Sequence, residues 1–234
     1  MIRILTFKNF VLGAFLLSST FLPQTYSENP SKGEIKRALR DFKKELREKF
    51  ERQNQQYAWS YASMLTTKDR KNITLQDLLH THYLILRNID NVNAGRLRTM
   101  NVKLLSQPHI KFPNYHDVPA QVNNFFNWLH AVEGDPVTIA IRAFCKLVLE
   151  IHPFADGNGR TSRLLMNVLL VQAGYQPVNF HKKTNPHEYY KIYIPALNKV
   201  LFYKDYTEFD ALIRSRLKKR TRATQNNEQL LEYF

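Results

Sequence analysis

The chain has 234 residues, a formal net charge of +14, seven glycines and a single cysteine. That length suits one domain with a real core. A lone cysteine excludes an intramolecular disulfide and a cysteine-based zinc centre. The charge raises the question of nucleic acid, but the cations are not gathered on a base-reading element. No specific nucleic-acid partner is expected.

The N-terminus reads as an export signal over residues 1–27. Arg3 and Lys8 supply a positive start, residues 10–22 are apolar, and Thr25 and Ser27 offer small residues for cleavage. A membrane span needs about 20 apolar residues, and Lys8 blocks extension of this run. Secretion, or an endoplasmic-reticulum lumen in a eukaryote, is therefore expected, with an uncleaved membrane anchor as the alternative. Residues 28–70 read as an N-terminal helical extension. From 34 to 52 lysines and arginines alternate with Glu34, Asp41, Glu45, Glu48 and Glu51, the pattern of a solvated helix laced with ion pairs.

Helical periodicity dominates the rest of the chain, and few segments alternate, so the fold class is all-α. Val137, Ala140, Ile141, Phe144, Val148 and Ile151 recur at three and four residues, predicting a helix that runs into residue 152. Leu164, Leu165, Val168 and Leu169 repeat the pattern up to Gly174, a C-cap followed by Pro177. Between these helices lies His152-Pro153-Phe154-Ala155-Asp156-Gly157-Asn158-Gly159-Arg160-Thr161-Ser162-Arg163. This is a loop feeding a helix N-terminus, where amides are unpaired and the dipole favours anions. Gly157 and Gly159 let backbone approach phosphate oxygens. Arg160 and Arg163 are three apart and share a helix face, suited to clamping phosphates. Asp156 is a hard oxygen ligand suited to Mg²⁺. His152 is a base able to take a proton from a hydroxyl near neutral pH. Each feature alone has a plainer reading, as a structural histidine, a turn or a solvated face. Together they form an inventory for holding a polyphosphate and deprotonating a hydroxyl.

The same twelve residues resemble the signature of the Fic family, His-x-Phe-x-Asp/Glu-Gly-Asn-Gly-Arg-x-x-Arg, at every position. Residues 74–99 are similar to that family's entry helix and Ala-Gly-x-x-Arg turn, and 124–129 to its next helix. The resemblance implies a Fic-type helical bundle with one small β-hairpin, the flap, at 108–113. It also implies a domain core over 71–212, with 213–234 left as a basic tail. It implies transfer of AMP from ATP to a Ser, Thr or Tyr hydroxyl of a target protein held by the flap. In that scheme His152 is the base and Asp156 holds Mg²⁺. Gly157, Asn158, Gly159, Arg160 and Arg163 bind the phosphates, and Tyr189 and Tyr190 line the nucleoside pocket. Removal of AMP, or transfer of another phosphate-linked group, is an alternative from the same site. A catalytically silent Fic-fold binding protein is a second alternative.

Two further expectations come from the same resemblance. Family members are often restrained by a glutamate that pairs with the second motif arginine. Glu28 and Glu228 sit in incomplete versions of that pattern. The adenine-contacting asparagine of the family falls about one residue early relative to Asn198, after Pro195 interrupts the helical run. The basic run at 214–222 (Arg214, Arg216, Lys218, Lys219, Arg220, Arg222) offers contact to an acidic partner or membrane headgroups, against the plainer reading of a solvated tail.

Overall fold

A computed structural model describes residues 31–104, 110–180 and 185–220. The expected export signal, Glu28 and Glu228 lie outside these residues, as does the whole 105–109 stretch, with residues 108 and 109 of the expected flap. The chain divides into two compact units, Met1–Leu46 and Arg47–Phe234. The first unit, as described, consists of the opening turns of helix α1 (Lys32–Leu65), entered through Ser31, whose amide donates to Glu34 Oε2.

In the second unit, α1 ends with Asn54, Ala58, Trp59, Ala62 and Leu65 buried. A short 3₁₀ turn (Arg70–Asn72) leads to α2 (Leu75–Leu86), opened by a complete capping box. Asp77 N–H donates to Thr74 Oγ1 and Thr74 N–H donates to the Asp77 carboxylate. Then come a second 3₁₀ turn (Tyr115–Asp117), α3 (Val118–Ala131) and α4 (Pro136–Cys145), whose N-cap Asp135 accepts from Thr138 N–H. A π turn (Lys146–Ile151) precedes the motif loop, and α5 (Asn158–Gln172) comes after it. α6 (Pro186–Glu188) continues through a second π turn (Tyr189–Tyr193) into α7 (Ile194–Tyr203). The last helix is α8 (Thr207–Arg216).

The mostly helical expectation stands. No strand belonging to a sheet is found among the described residues; an isolated antiparallel bridge pairs Tyr175 with Lys219. Residues 110–113 of the predicted hairpin carry no regular secondary structure, so the flap remains an expectation. No helix among the described residues is long and apolar enough to cross a membrane.

The core sits on α5. Leu164, Leu165, Met166, Val168, Leu169, Leu170 and Val171 are all buried, so this stretch of the helix is enclosed on every side. Pro195 does not end its helix. The π turn just before it widens the backbone where the proline ring would meet the carbonyl four residues back. The basic run is partly consumed by the fold. Arg214 pairs with Asp135 and Asp210, and Arg216 pairs with Glu188.

Asn167 is the one fully polar side chain that α5 turns inward at zero exposure beyond Thr161. Its amide donates to the Val178 carbonyl at 3.0 Å and its Oδ1 accepts the Val178 N–H at 2.9 Å. Removing it orphans a buried peptide. Asn167→Ala is expected to cost about 2–4 kcal/mol of unfolding free energy, measured by urea denaturation. A cost under about 1 kcal/mol would mean that Val178 finds other partners.

Candidate active site

Residue 152 ends the π turn. Its N–H donates to the Leu147 carbonyl at 2.9 Å, and its backbone takes a left-handed φ of 49°. For a non-glycine residue this conformation is sparsely populated and needs support. Arg98 provides it from a buried position, 3% exposed. Its Nε donates to the His152 carbonyl at 2.9 Å and its N–H to the Pro153 carbonyl at 2.9 Å. The same guanidinium donates to the carbonyls of Met100 and Pro113. One arginine thus joins the histidine to both flanks of the 101–112 segment.

The imidazole is set with equal definition. Nδ1 lies 2.9 Å from the Val148 carbonyl. A carbonyl only accepts, so Nδ1 carries the proton and Nε2 keeps its lone pair. The ring stacks on Phe112 with centroids 4.1 Å apart. Burial lowers the His152 pKa; the Val148 bond opposes this and the Arg98 charge reinforces it. Burial thus favours the neutral ring, whose Nε2 meets no hydrogen-bond partner among the described residues.

The loop closes through Asn158, which is buried. Phe154 N–H donates to its Oδ1 at 2.9 Å, and its Nδ2 donates to the Phe154 carbonyl at 2.7 Å. The Asn158 side chain is therefore spent on the loop's shape, leaving its backbone for a ligand. Gly157 is the N-cap of α5 at φ 81° and brings no capping side chain. Thr161 N–H bonds the Gly157 carbonyl, so the amides of Asn158, Gly159 and Arg160 precede the helical ladder and suit an anion. Arg163 lies over Gly159: a Cβ there would sit 3.3 Å from its Nη1.

Asp156 is about half exposed and its carboxylate meets two cations. Arg47 Nη2 is 3.1 Å away and Arg160 Nη2 is 3.4 Å away. Glu51 completes the group, 3.1 Å from Arg47 and 3.6 Å from Arg160. Burial works to raise the Asp156 pKa, but Arg160, the Gly157 amide and Arg47 outweigh it and the carboxyl is held below its usual range. The sequence reading places Arg47 and Glu51 on a solvated helix and not at the site. Their i,i+4 pairing was legible there; that the pair reaches a residue 109 positions later was not. Glu51 is thus an acidic side chain from outside the loop at Arg160, the first motif arginine; Glu28 and Glu228, the expected partners of Arg163, lie outside the described residues.

The two tyrosines separate. Tyr189 is half-buried and stacks on the fully buried Tyr193, centroids 5.3 Å apart. Tyr190 is 50% exposed and meets Tyr189 edge-on at 5.4 Å. Tyr193, which sequence reading passed over, has its hydroxyl enclosed beside Arg163. Burial raises its pKa against the pull of that arginine's charge. Cys145 is buried, and burial pushes its thiol up to about 12, so it is no nucleophile.

Only one carboxylate lies in the loop, and no cluster of three or more His, Cys, Asp or Glu residues able to hold a metal occurs among the described residues. Mg²⁺ is commonly bound by one or two carboxylates, water and substrate phosphates. Asp156 fits that role, provided that it exchanges its arginine contacts for the ion.

Residues 72–170 match the family model described as the Fic/DOC family. A protein adenylyltransferase Fic of Culex quinquefasciatus is 40% identical over 160 residues, covering 64% of this chain and 31% of the relative. The protein adenylyltransferase fic-1 of Caenorhabditis elegans is 36% identical over 136 residues, 57% of this chain and 26% of the relative. The chain thus spans about a third or less of the length of these curated relatives. Among solved structures, Fic-1 of C. elegans (residues 134–508) superposes with a TM-score of 0.60 at 25% identity, over 94% of this chain and 56% of that one.

Proposed function

We propose that this chain, whose residues 72–170 form a domain of the Fic/DOC family, transfers AMP from ATP to a hydroxyl side chain of a target protein. The relatives at 36–40% identity carry the name protein adenylyltransferase, and the site has the parts that such a transfer needs. The observation that carries the reading is the His152 tautomer: Nδ1–H is committed to Val148, which leaves Nε2 as a base beside an anion-binding helix start.

The target hydroxyl gives its proton to His152 Nε2 as its oxygen attacks the α-phosphorus. The bond from that phosphorus to the bridging oxygen breaks, and pyrophosphate leaves. The amides at the start of α5 and the Arg160 guanidinium hold phosphate oxygens, and Arg163 meets the terminal phosphate. Such preformed donors need no reorganisation as charge shifts. Mg²⁺, when bound by Asp156 and the phosphates, supplies further neutralisation of the leaving group. Arg98 keeps His152 in its strained backbone and links it to the 110–113 segment, where Phe112 covers the imidazole. A target strand laid along that segment would bring its hydroxyl to Nε2. Tyr189 and Tyr190 remain the nucleoside-facing candidates, with Tyr190 the more accessible.

Incubation with α-labelled ATP, Mg²⁺ and cell lysate, beside a His152→Ala control, tests the reading. Label on a protein band with the parent chain alone is expected. Equal label in both, or in neither across lysates, counts against it.

Export belongs to the same proposal. The mature N-terminus is expected close to Glu28, as read by N-terminal sequencing from the native cell. An intact Met1 on the soluble protein would reject export.

A further inference from the structure

His82 lies on α2, outside the motif, with no exposed surface. Gly95 N–H donates to its Nδ1 at 3.0 Å. An amide only donates, so Nδ1 is the acceptor and the ring proton is on Nε2. That Nε2–H points at the Asp156 carbonyl, 2.9 Å away. The ring stacks almost parallel on Phe154, centroids 3.7 Å apart and planes 8° apart. Gly157 rests on its edge: a Cβ built there would come within 3.2 Å of His82 Cδ2 and Nε2.

These contacts converge on one peptide. The Asp156 carbonyl and the Gly157 N–H belong to the same trans plane and point in opposite directions. Holding the carbonyl toward α2 therefore aims the Gly157 N–H the other way, where it meets the Asp156 carboxylate at 2.6 Å. The glycine at φ 81° would otherwise let this plane turn with little steric resistance.

We propose that His82 is a positioning residue for the motif loop. By bridging the Gly95 amide and the Asp156 carbonyl it locks the Asp156–Gly157 peptide with its N–H and carboxylate on the ligand side. This rests on the reading of that loop as a phosphate and metal holder. His82 touches no reacting atom. Its effect is on how well a nucleotide with its metal is held, more than on the turnover of what is held.

Three variants of the full chain separate this role from simple packing. His82→Gln places an amide N–H near the position of Nε2 and can still reach the Asp156 carbonyl. His82→Asn keeps an acceptor for Gly95 but falls short of Asp156. His82→Phe keeps the stack on Phe154 and removes both hydrogen bonds. The affinity for ATP is measured by calorimetry with Mg²⁺ and again with EDTA, beside melting temperatures and the KM and kcat of auto-modification. In the Asn and Phe variants the affinity for ATP with Mg²⁺ is expected to fall about 10–100-fold, the usual effect of losing an outer-shell partner. KM should rise more than kcat falls. His82→Gln should stay within about threefold of the parent although its melting temperature drops with that of His82→Asn. Affinity that follows melting temperature, with Gln no better than Asn, overturns the proposal. If the amide variants do not fold, parent-like ATP affinity in His82→Phe overturns it and a loss with Mg²⁺ supports it. Binding is read without a target, so the two readings fail separately. A parent that binds ATP and labels nothing refutes adenylyl transfer alone; one that binds no ATP refutes the positioning role as well.

Discussion

His152→Ala is expected to reduce AMP transfer by ~10²–10⁴-fold, the usual loss when a general base is removed, while ATP affinity changes by only a few-fold. The split comes from geometry. In the proposed mechanism Nε2 is the atom offered to the target hydroxyl, whereas the phosphates are met by the α5 amides and the arginines. The truncation leaves Arg98 bonded to the residue 152 carbonyl, because that contact is to backbone. Loss of the ring does remove the stack on Phe112, so a modest change in the flanking segment belongs to the expected result. The pH profile of the parent is a second readout. A base works only when unprotonated, and burial lowers the pKa of this one. Activity should therefore persist to a pH below the ordinary histidine range near ~6.5 before its acid limb falls. Unchanged labelling by the variant, or an acid limb well above that range, would assign the base elsewhere.

Asp156→Ala should abolish most of the Mg²⁺ dependence of nucleotide binding and turnover. No other carboxylate lies within the loop, so the variant leaves the ion with phosphates and water alone. The second consequence is electrostatic. Without Asp156, Arg47 keeps its bond to Glu51, while Arg160 loses its nearer anionic partner. Metal-free ATP should then bind the variant as well as the parent or better, since the two arginines are left with Glu51 as their one remaining acidic partner of this group. Titrating ATP affinity against Mg²⁺ in both proteins checks this. The expected pattern is a steep rise with Mg²⁺ in the parent and a flat line in the variant. Parallel curves would place the ligand outside the loop. The exposed Arg47–Asp156 pair is itself worth little, about 0–1 kcal/mol, so it presents only a small barrier to the metal.

Much of this architecture could be read from short stretches. The apolar spacing at 164, 165, 168 and 169 marks α5, and its buried face carries those residues. Of the glycines expected at the loop and the cap, Gly157 and Gly174 have positive φ, whereas Gly159, also expected to take it, lies inside α5 with helical backbone. The expectation that Pro195 breaks the helix shows the limit of such reasoning. The proline does forbid a regular turn, but a π turn absorbs the misfit and the chain stays helical. The flap hairpin depends on pairing across 105–109, outside the described residues, and local pattern alone does not supply it.

By itself the sequence determined the helical class, the loop-to-helix junction at 152–163, and the chemical inventory of a base, a carboxylate, free amides and two arginines. These depend on periodicity, on the conformational freedom of glycine and on ionisation, all properties of neighbours along the chain. Only the tertiary structure decided how those groups are set. The His152 tautomer depends on Val148 within a widened turn, and its strained backbone on Arg98, 54 residues earlier. The loop peptide depends on His82, 74 residues earlier, and the state of Asp156 on Arg47, 109 residues earlier. No spacing rule links such pairs. They meet only in the folded chain, and a hydrogen bond senses distance in space, not along the chain.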